Sequence, residues 1–179
     1  MNLIKKVTLV ALFTLLASAA SWSQAKIPEA FWTAPIAFTA SYGGYPADLT
    51  PDLLFRKAKF KTTEQMDGTL LTGRLEGYTL KGNIVTFSLS IMSKHDIQTK
   101  ISVAIQYSQA TKQNAIFSVA VKNLNSGKST EVSFDGSPES VGTTTGIFLE
   151  LVSMLYDSDE LNSLMPNYDG SENDNPSQQ

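Results

Sequence analysis

The chain has 179 residues, 42% hydrophobic and 17% charged, a balance that places it with globular proteins and away from disordered, collagenous and coiled-coil chains. It contains no cysteine, which excludes a disulfide framework, a thiolate metal site, a cysteine nucleophile and a lipidated cysteine. Its 14 basic and 17 acidic residues leave a formal net charge of -3, the wrong sign for a nucleic-acid partner, which calls for a basic surface.

Met1 to Ala25 reads as a secretory signal peptide. Lys5 and Lys6 form a basic start, Val7 to Ala20 an apolar run, and Ser23-Gln24-Ala25 a small-x-small cleavage site. Cleavage after Ala25 leaves 154 residues, a length at which one domain buries roughly 70% of its unfolded surface without help from metal or disulfide. No later run reaches the roughly 18 apolar residues of a membrane span. The mature form is therefore expected to be free in the periplasm or secreted, with no transmembrane span.

Lys26 to Pro35 reads as an extended lead-in anchored by Phe31 and Trp32. Ile36 to Tyr42 alternates as a first strand, closed by the turn Tyr42-Gly43-Gly44-Tyr45-Pro46. Thr50-Pro51-Asp52 predicts a helix cap and at most one helical turn. From Arg56 to Lys61, Ala58 and Phe60 alternate with Lys57, Lys59 and Lys61, the two-residue period of a strand. Leu70 to Leu80 is interrupted by Gly73 and Gly77, which predicts a bulged or bent strand.

After the turn Lys81-Gly82-Asn83, Val85, Phe87, Leu89 and Ile91 share one face. Ile97, Ile101, Val103, Ile105 and Tyr107 repeat the arrangement, then Ala115, Phe117, Val119 and Val121, then Thr130, Val132 and Phe134. Short half-buried runs joined by tight turns predict an antiparallel meander. The period changes after Asp135-Gly136. Ser137 or Thr143 can cap a helix whose stripe is Ile147, Phe148, Leu151, Val152 and Leu155, widened by Leu149 and Met154. Asp157 or Ser158 restarts a short helix carrying Leu161 and Leu164, ended by Pro166, and residues 167–179 form a polar acidic tail expected to be disordered.

Few residues carry catalytic vocabulary. Gly127-Lys128-Ser129-Thr130 has the end of a phosphate-binding loop but lies between two strands, where that motif needs a strand before it and a helix after. His95 is the only histidine, and no Gly-x-Ser-x-Gly elbow or Ser-x-x-Lys signature accompanies it. Glu64, Asp67, Glu76 and Glu150 would have to converge for carboxylate-dependent hydrolysis. The acidic runs Asp157, Asp159, Glu160 and Asp169, Glu172, Asp174 lack the spacing and glycine of a calcium loop. Neither a metal nor a cofactor is expected.

Charge and aromatics supply the binding candidates. Residues 129–179 hold 10 acidic residues and no basic one, while residues 26–128 hold 12 basic and 7 acidic. Such a surface attracts a partner protein with a basic surface, with Asp157, Asp159 and Glu160 as contact residues and Tyr42 and Tyr45 as a second, aromatic contact. A small apolar ligand could instead sit between sheet and helix against Phe87, Ile105, Phe117 and Phe148. The basic ridge Arg56, Lys57, Lys59 and Lys61 fits protection of a sheet edge.

The expectation is an α+β domain over residues 26–166: an antiparallel meander of about six or seven strands packed on a C-terminal helix. Its expected function is non-catalytic binding in the bacterial envelope, as a protein-protein interaction module such as an immunity or inhibitor protein. A carrier of an apolar ligand and a carboxylate-dependent hydrolase of envelope polymers are the alternatives.

Overall fold

The computed structural model describes residues 26–37, 49–94 and 96–164. The expected signal peptide, the expected first strand beyond Ala37, the expected turn with Tyr42 and Tyr45, His95 and the expected acidic tail from residue 167 lie outside the described residues. Six described strands form one antiparallel sheet in chain order: β1 (Thr62–Glu64), β2 (Leu70–Lys81), β3 (Ile84–Ser93), β4 (Asp96–Ser108), β5 (Gln113–Asn123) and β6 (Ser129–Ser133). Gly82 and Gly127 hold φ angles of 62° and 69° in the β2–β3 and β5–β6 turns, a left-handed conformation that costs glycine little.

One face of the sheet is the core. Val85, Phe87, Leu89 and Ile91 of β3 are buried, facing Ile105, Val103 and Ile101 of β4 and, beyond them, Ile116 and Val119 of β5. Each such side chain contributes about 1.5–3 kcal/mol on leaving water. The alternation is reset at three bulges. Two are at Glu76 in β2, where the glycines foretold one, and at Gln98 in β4.

The third bulge corrects the sequence reading of β5. Ala104 pairs with Ser118 and Ile105 with Ile116, so Phe117 is the unpaired extra residue. Asn114 and Ile116 consequently face inward, Ala115 is exposed and Phe117 is only half-buried. The parity of Val119 and Val121 holds because it lies beyond the bulge.

The helices cover this face from two directions. α2 (Pro138–Leu155) is capped by Ser137, whose hydroxyl accepts from the Ser140 amide at 3.2 Å, while Pro138 opens its first turn, where a missing N–H costs nothing. It lies against β5 and β6, burying Phe148, Leu149, Leu151, Val152 and Leu155. Met154 points away and stays 43% exposed. The β-branched run inside the helix is accommodated because Thr144 and Thr145 are buried, and the Thr144 hydroxyl bonds back to the Ser140 carbonyl at 2.8 Å. α3 (Ser158–Ser163) follows, carrying buried Leu161.

The N-terminal segment departs from the extended lead-in expected of it. Glu29–Thr33 forms a short helix, α1, with Phe31 and Trp32 buried, and beyond it the described Ile36 makes a single parallel bridge to Asn114. Arg56 to Lys61 is not a strand. A wide helical turn of π type runs from Leu53 to Lys57, and the ladder begins only at Thr62. Tertiary packing overrides the local period here: Phe55 stacks on Phe87 at 3.9 Å, Phe31 and Trp32 pack on the same ring, and Arg56 lies 3.7 Å over the Trp32 ring.

Candidate functional site

The coverings of the inner face do not reach its far end. Along β3, β4 and β5 the inward positions run apolar to Ile91, Ile101 and Val121, then turn polar at Ser93, Thr99 and Asn123; β2 reaches the same level at Gly73. α2 stops there, because Leu155 packs directly on Gly73. What remains is a groove of about 820 Å³. Leu71, Ile91, Met154 and Leu155 line its apolar part; Thr63, Gln65, Ser93, Gln98, Thr99, Asn123 and Asn125 supply hydroxyls and amides.

Most of the ionic and some of the amide capacity is already committed. The Lys61 ammonium donates to the Ser153 carbonyl at 2.5 Å, which ties the floor of the groove to the end of α2. Asp67 accepts from the Thr69 amide at 2.9 Å, and this bond together with the Thr69 hydroxyl lowers its carboxyl pKa. The Asn125 amide donates to Gln98, and Asn123 accepts from the Ser126 amide at 2.8 Å. Among the described residues, the side chains of Thr63, Gln65, Ser93 and Thr99 make no such bond and face the open volume. Met66, at the tip of the β1–β2 hairpin, is fully exposed and lines the groove together with Met154.

The acidic candidates follow Leu155 in the chain and are not part of the groove's lining. Asp157 caps α3, accepting from the Asp159 and Glu160 amides at 2.9 and 3.2 Å. Glu160 accepts from the Lys59 amide at 3.3 Å. Asp159 is exposed and makes no side-chain contact among the described residues. The structure thus brings all three acids together, two steps in sequence past Leu155, and gives two of them structural work.

The other candidates are dispersed. Phe87, Ile105 and Phe148 lie in the core, where the Phe55 ring covers Phe87; Phe117 sits on its bulge, its carbonyl accepting from the Phe134 amide at 2.7 Å. Glu64 and Asp67 are on the β1–β2 hairpin, Glu76 projects from the outer face, where its carboxylate accepts from the Ser90 hydroxyl at 2.7 Å, and Glu150 is exposed on α2. Glu64 pairs with Leu70 in the ladder, and Glu76 lies six residue steps further along the strand, about 20 Å. These carboxylates do not converge. Of the basic ridge, Arg56 and Lys57 are taken up by Asp52, at 3.4 and 2.8 Å.

Sequence reasoning followed the apolar face of each strand and missed the groove. The signal was present as a change of polarity at one end of three strands on one parity. It becomes readable only when the ladder aligns Ile91 with Thr99 and Thr99 with Asn123.

Among the described residues no three metal-binding side chains are grouped, and no helix is long and apolar enough to cross a membrane. No family model, curated protein or solved structure matches the chain.

Proposed function

We propose that the chain is a non-catalytic binding protein that acts outside the cytoplasm, holding a segment of another protein in the groove at the open end of its sheet. The observation that carries this reading is the set of uncommitted donors and acceptors, Thr63, Gln65, Ser93 and Thr99, gathered around one volume of about 820 Å³. Hydroxyls and amides of both polarities match a peptide main chain. Met66 and Met154 in the lining suit apolar side chains of variable shape, because an unbranched thioether re-packs readily. Among the described residues no aromatic lines the groove, and an aromatic platform is what a sugar ring would stack on. The export half of the reading rests on the leader, and the mature protein is expected to start at Lys26.

Site-specific photo-crosslinking tests it. A benzophenone side chain placed at Gln65, inside the groove, is compared with one at Gln113, at the other end of β5, in cells expressing the full chain. A discrete protein adduct formed from Gln65 and absent from Gln113 is the expected result. Equal or absent crosslinking at both positions would overturn the proposal.

A further inference from the structure

Resting on that reading, we infer that the partner segment is a basic, extended stretch that binds as an added strand on the free edge of β1. β1 is the terminal strand of the sheet among the described residues. In an antiparallel ladder, alternate residues exchange main-chain hydrogen bonds with their partner while those between turn theirs the other way. The Gln65 amide donates to the Thr69 carbonyl at 2.8 Å, and by this alternation Thr63 also faces β2, at its partner Leu71. Thr62 and Glu64 therefore direct their N–H and C=O groups outward. Thr62 to Glu64 carry neither a proline nor an inward-pointing charge.

The same alternation joins the edge to the groove. Thr63 and Gln65 send their side chains inward to line it, so a strand laid along β1 would place every second side chain over that volume. Three edge residues offer only four main-chain groups. The groove and the local charge must supply the rest of the affinity, as in other complexes built by strand addition.

The charge around this edge has one prevailing sign. The Lys61 amide donates to the Leu155 carbonyl at 2.9 Å and the Lys59 amide to Glu160 at 3.3 Å, which brings the segment carrying Asp157, Asp159 and Glu160 alongside the approach to β1. Glu64 and Asp67 stand at its other end. Five carboxylates thus stand along this edge; of the four cations beside it, Lys61 already has its ammonium on the Ser153 carbonyl and Arg74 lies 3.6 Å from Glu76, which leaves Lys59 and, next to Thr62 on the outer face, Lys94. A lysine- or arginine-bearing strand is drawn to such an edge and an acidic one repelled.

The test uses a synthetic peptide of about eight residues, longer than a typical strand, alternating lysine and valine, against a second alternating glutamate and valine. Binding to the full chain is followed by NMR at low salt. The lysine peptide is expected to bind, slowing exchange of the Thr62 and Glu64 amides at least about tenfold, the direct mark of new main-chain hydrogen bonds. The glutamate peptide should not bind. Thr62→Pro removes one outward donor without touching the bonds to β2, and should weaken the lysine peptide by about tenfold while Asp159→Lys weakens it several-fold.

Failure of the lysine peptide to bind, binding with no protection of Thr62 and Glu64, or equal binding of both peptides would each overturn the inference. None of these would by itself overturn the groove, which stands or falls with crosslinking from Gln65. The exchange measurement on the unaltered chain keeps the test decisive even where the proline variant folds poorly.

Discussion

Gly73 and Leu155 meet so closely that a β-carbon on the glycine would lie 2.9 Å from Leu155 Cδ2, with the Phe60 ring at 3.0 Å. This contact sets where α2 ends against β2 and so where the groove begins. Both opposing groups are held by the core, so neither gives way freely. Gly73→Ala is expected to destabilise the protein by about 1–3 kcal/mol, the usual cost of overpacking. Urea denaturation checks it, and adding Leu155→Ala should return part of the alanine penalty by opening the space. A neutral or stabilising Gly73→Ala would mean the contact relaxes without strain.

Tyr156 provides a second latch. Its hydroxyl donates to the Leu54 carbonyl at 2.6 Å, tying the end of α2 to the π turn, and burial pushes its phenol well above the ordinary value of 10.0. In the unfolded chain the phenol ionises near pH 10; in the folded chain it stays neutral. Stability from this group is therefore complete below about pH 10 and is lost as pH rises above it, by about 1.4 kcal/mol for each further pH unit. Tyr156→Phe should cost about 1–2 kcal/mol at neutral pH and should flatten the alkaline loss. Parallel alkaline slopes in the two proteins would contradict this.

The acid limb has a different origin. Asp135, just ahead of α2, has its pKa lowered to about 2, first by the Ser137 hydroxyl, then by the Ser137 amide and the Ser140 hydroxyl. A depressed carboxyl stabilises the fold above its ordinary value of 3.8, and that contribution fades as pH falls toward 2. NMR titration of the Asp135 carboxyl should place its midpoint near the lower figure, and Ser137→Ala should raise it. A midpoint near the ordinary value would show that these bonds do not persist in solution.

Asn114 pins the N-terminal segment to the sheet. Its amide donates to the Phe31 and Ala34 carbonyls, both at 2.9 Å, while its own N–H reaches Pro35 at 2.8 Å. The residue is fully buried, and its side-chain oxygen has no partner among the described residues. Asn114→Leu orphans two buried carbonyls and should cost about 2–4 kcal/mol. Asn114→Asp replaces both donors with a buried charge and should cost more. Limited chymotryptic proteolysis at Phe31 and Trp32, buried in α1, with thermal melts of the same variants, checks whether α1 loosens first.

The legible parts of this fold were those whose cause is local. Val85 to Ile91 and Ile101 to Tyr107 alternate because each strand has one buried face, and Ile147 to Leu155 recurs at helical spacing because α2 lies on that face. The bulge beside Gly77 announced itself through two glycines. Phe117 gave no such sign, since a bulge without glycine changes parity silently. α1 is five residues long, too short for a period, and exists because Phe31 and Trp32 find the Phe87 ring. The groove was illegible for the same reason in a larger form: it depends on where α2 stops relative to strands far away in sequence.

The three acids at the cap and first turn of α3 separate stability from recognition. Asp157 caps α3 through two amides, so Asp157→Ala should cost about 1 kcal/mol of stability. Asp159 makes no side-chain contact among the described residues, and Asp159→Asn should leave stability within about 0.5 kcal/mol, as for other surface changes. Its carboxylate is nonetheless exposed on the short helix whose Glu160 accepts from the Lys59 amide, on the approach to β1 where the partner strand is proposed to lie. Asp159→Asn should therefore weaken the lysine peptide while leaving the melt unchanged, and the difference from the unaltered chain should shrink as salt is raised, since ions screen exposed charges beyond about 8 Å at physiological strength. Isothermal titration at two salt concentrations makes the comparison. A loss of affinity independent of salt would assign Asp159 a short-range contact instead of an electrostatic one, and no loss at all would remove it from the interface.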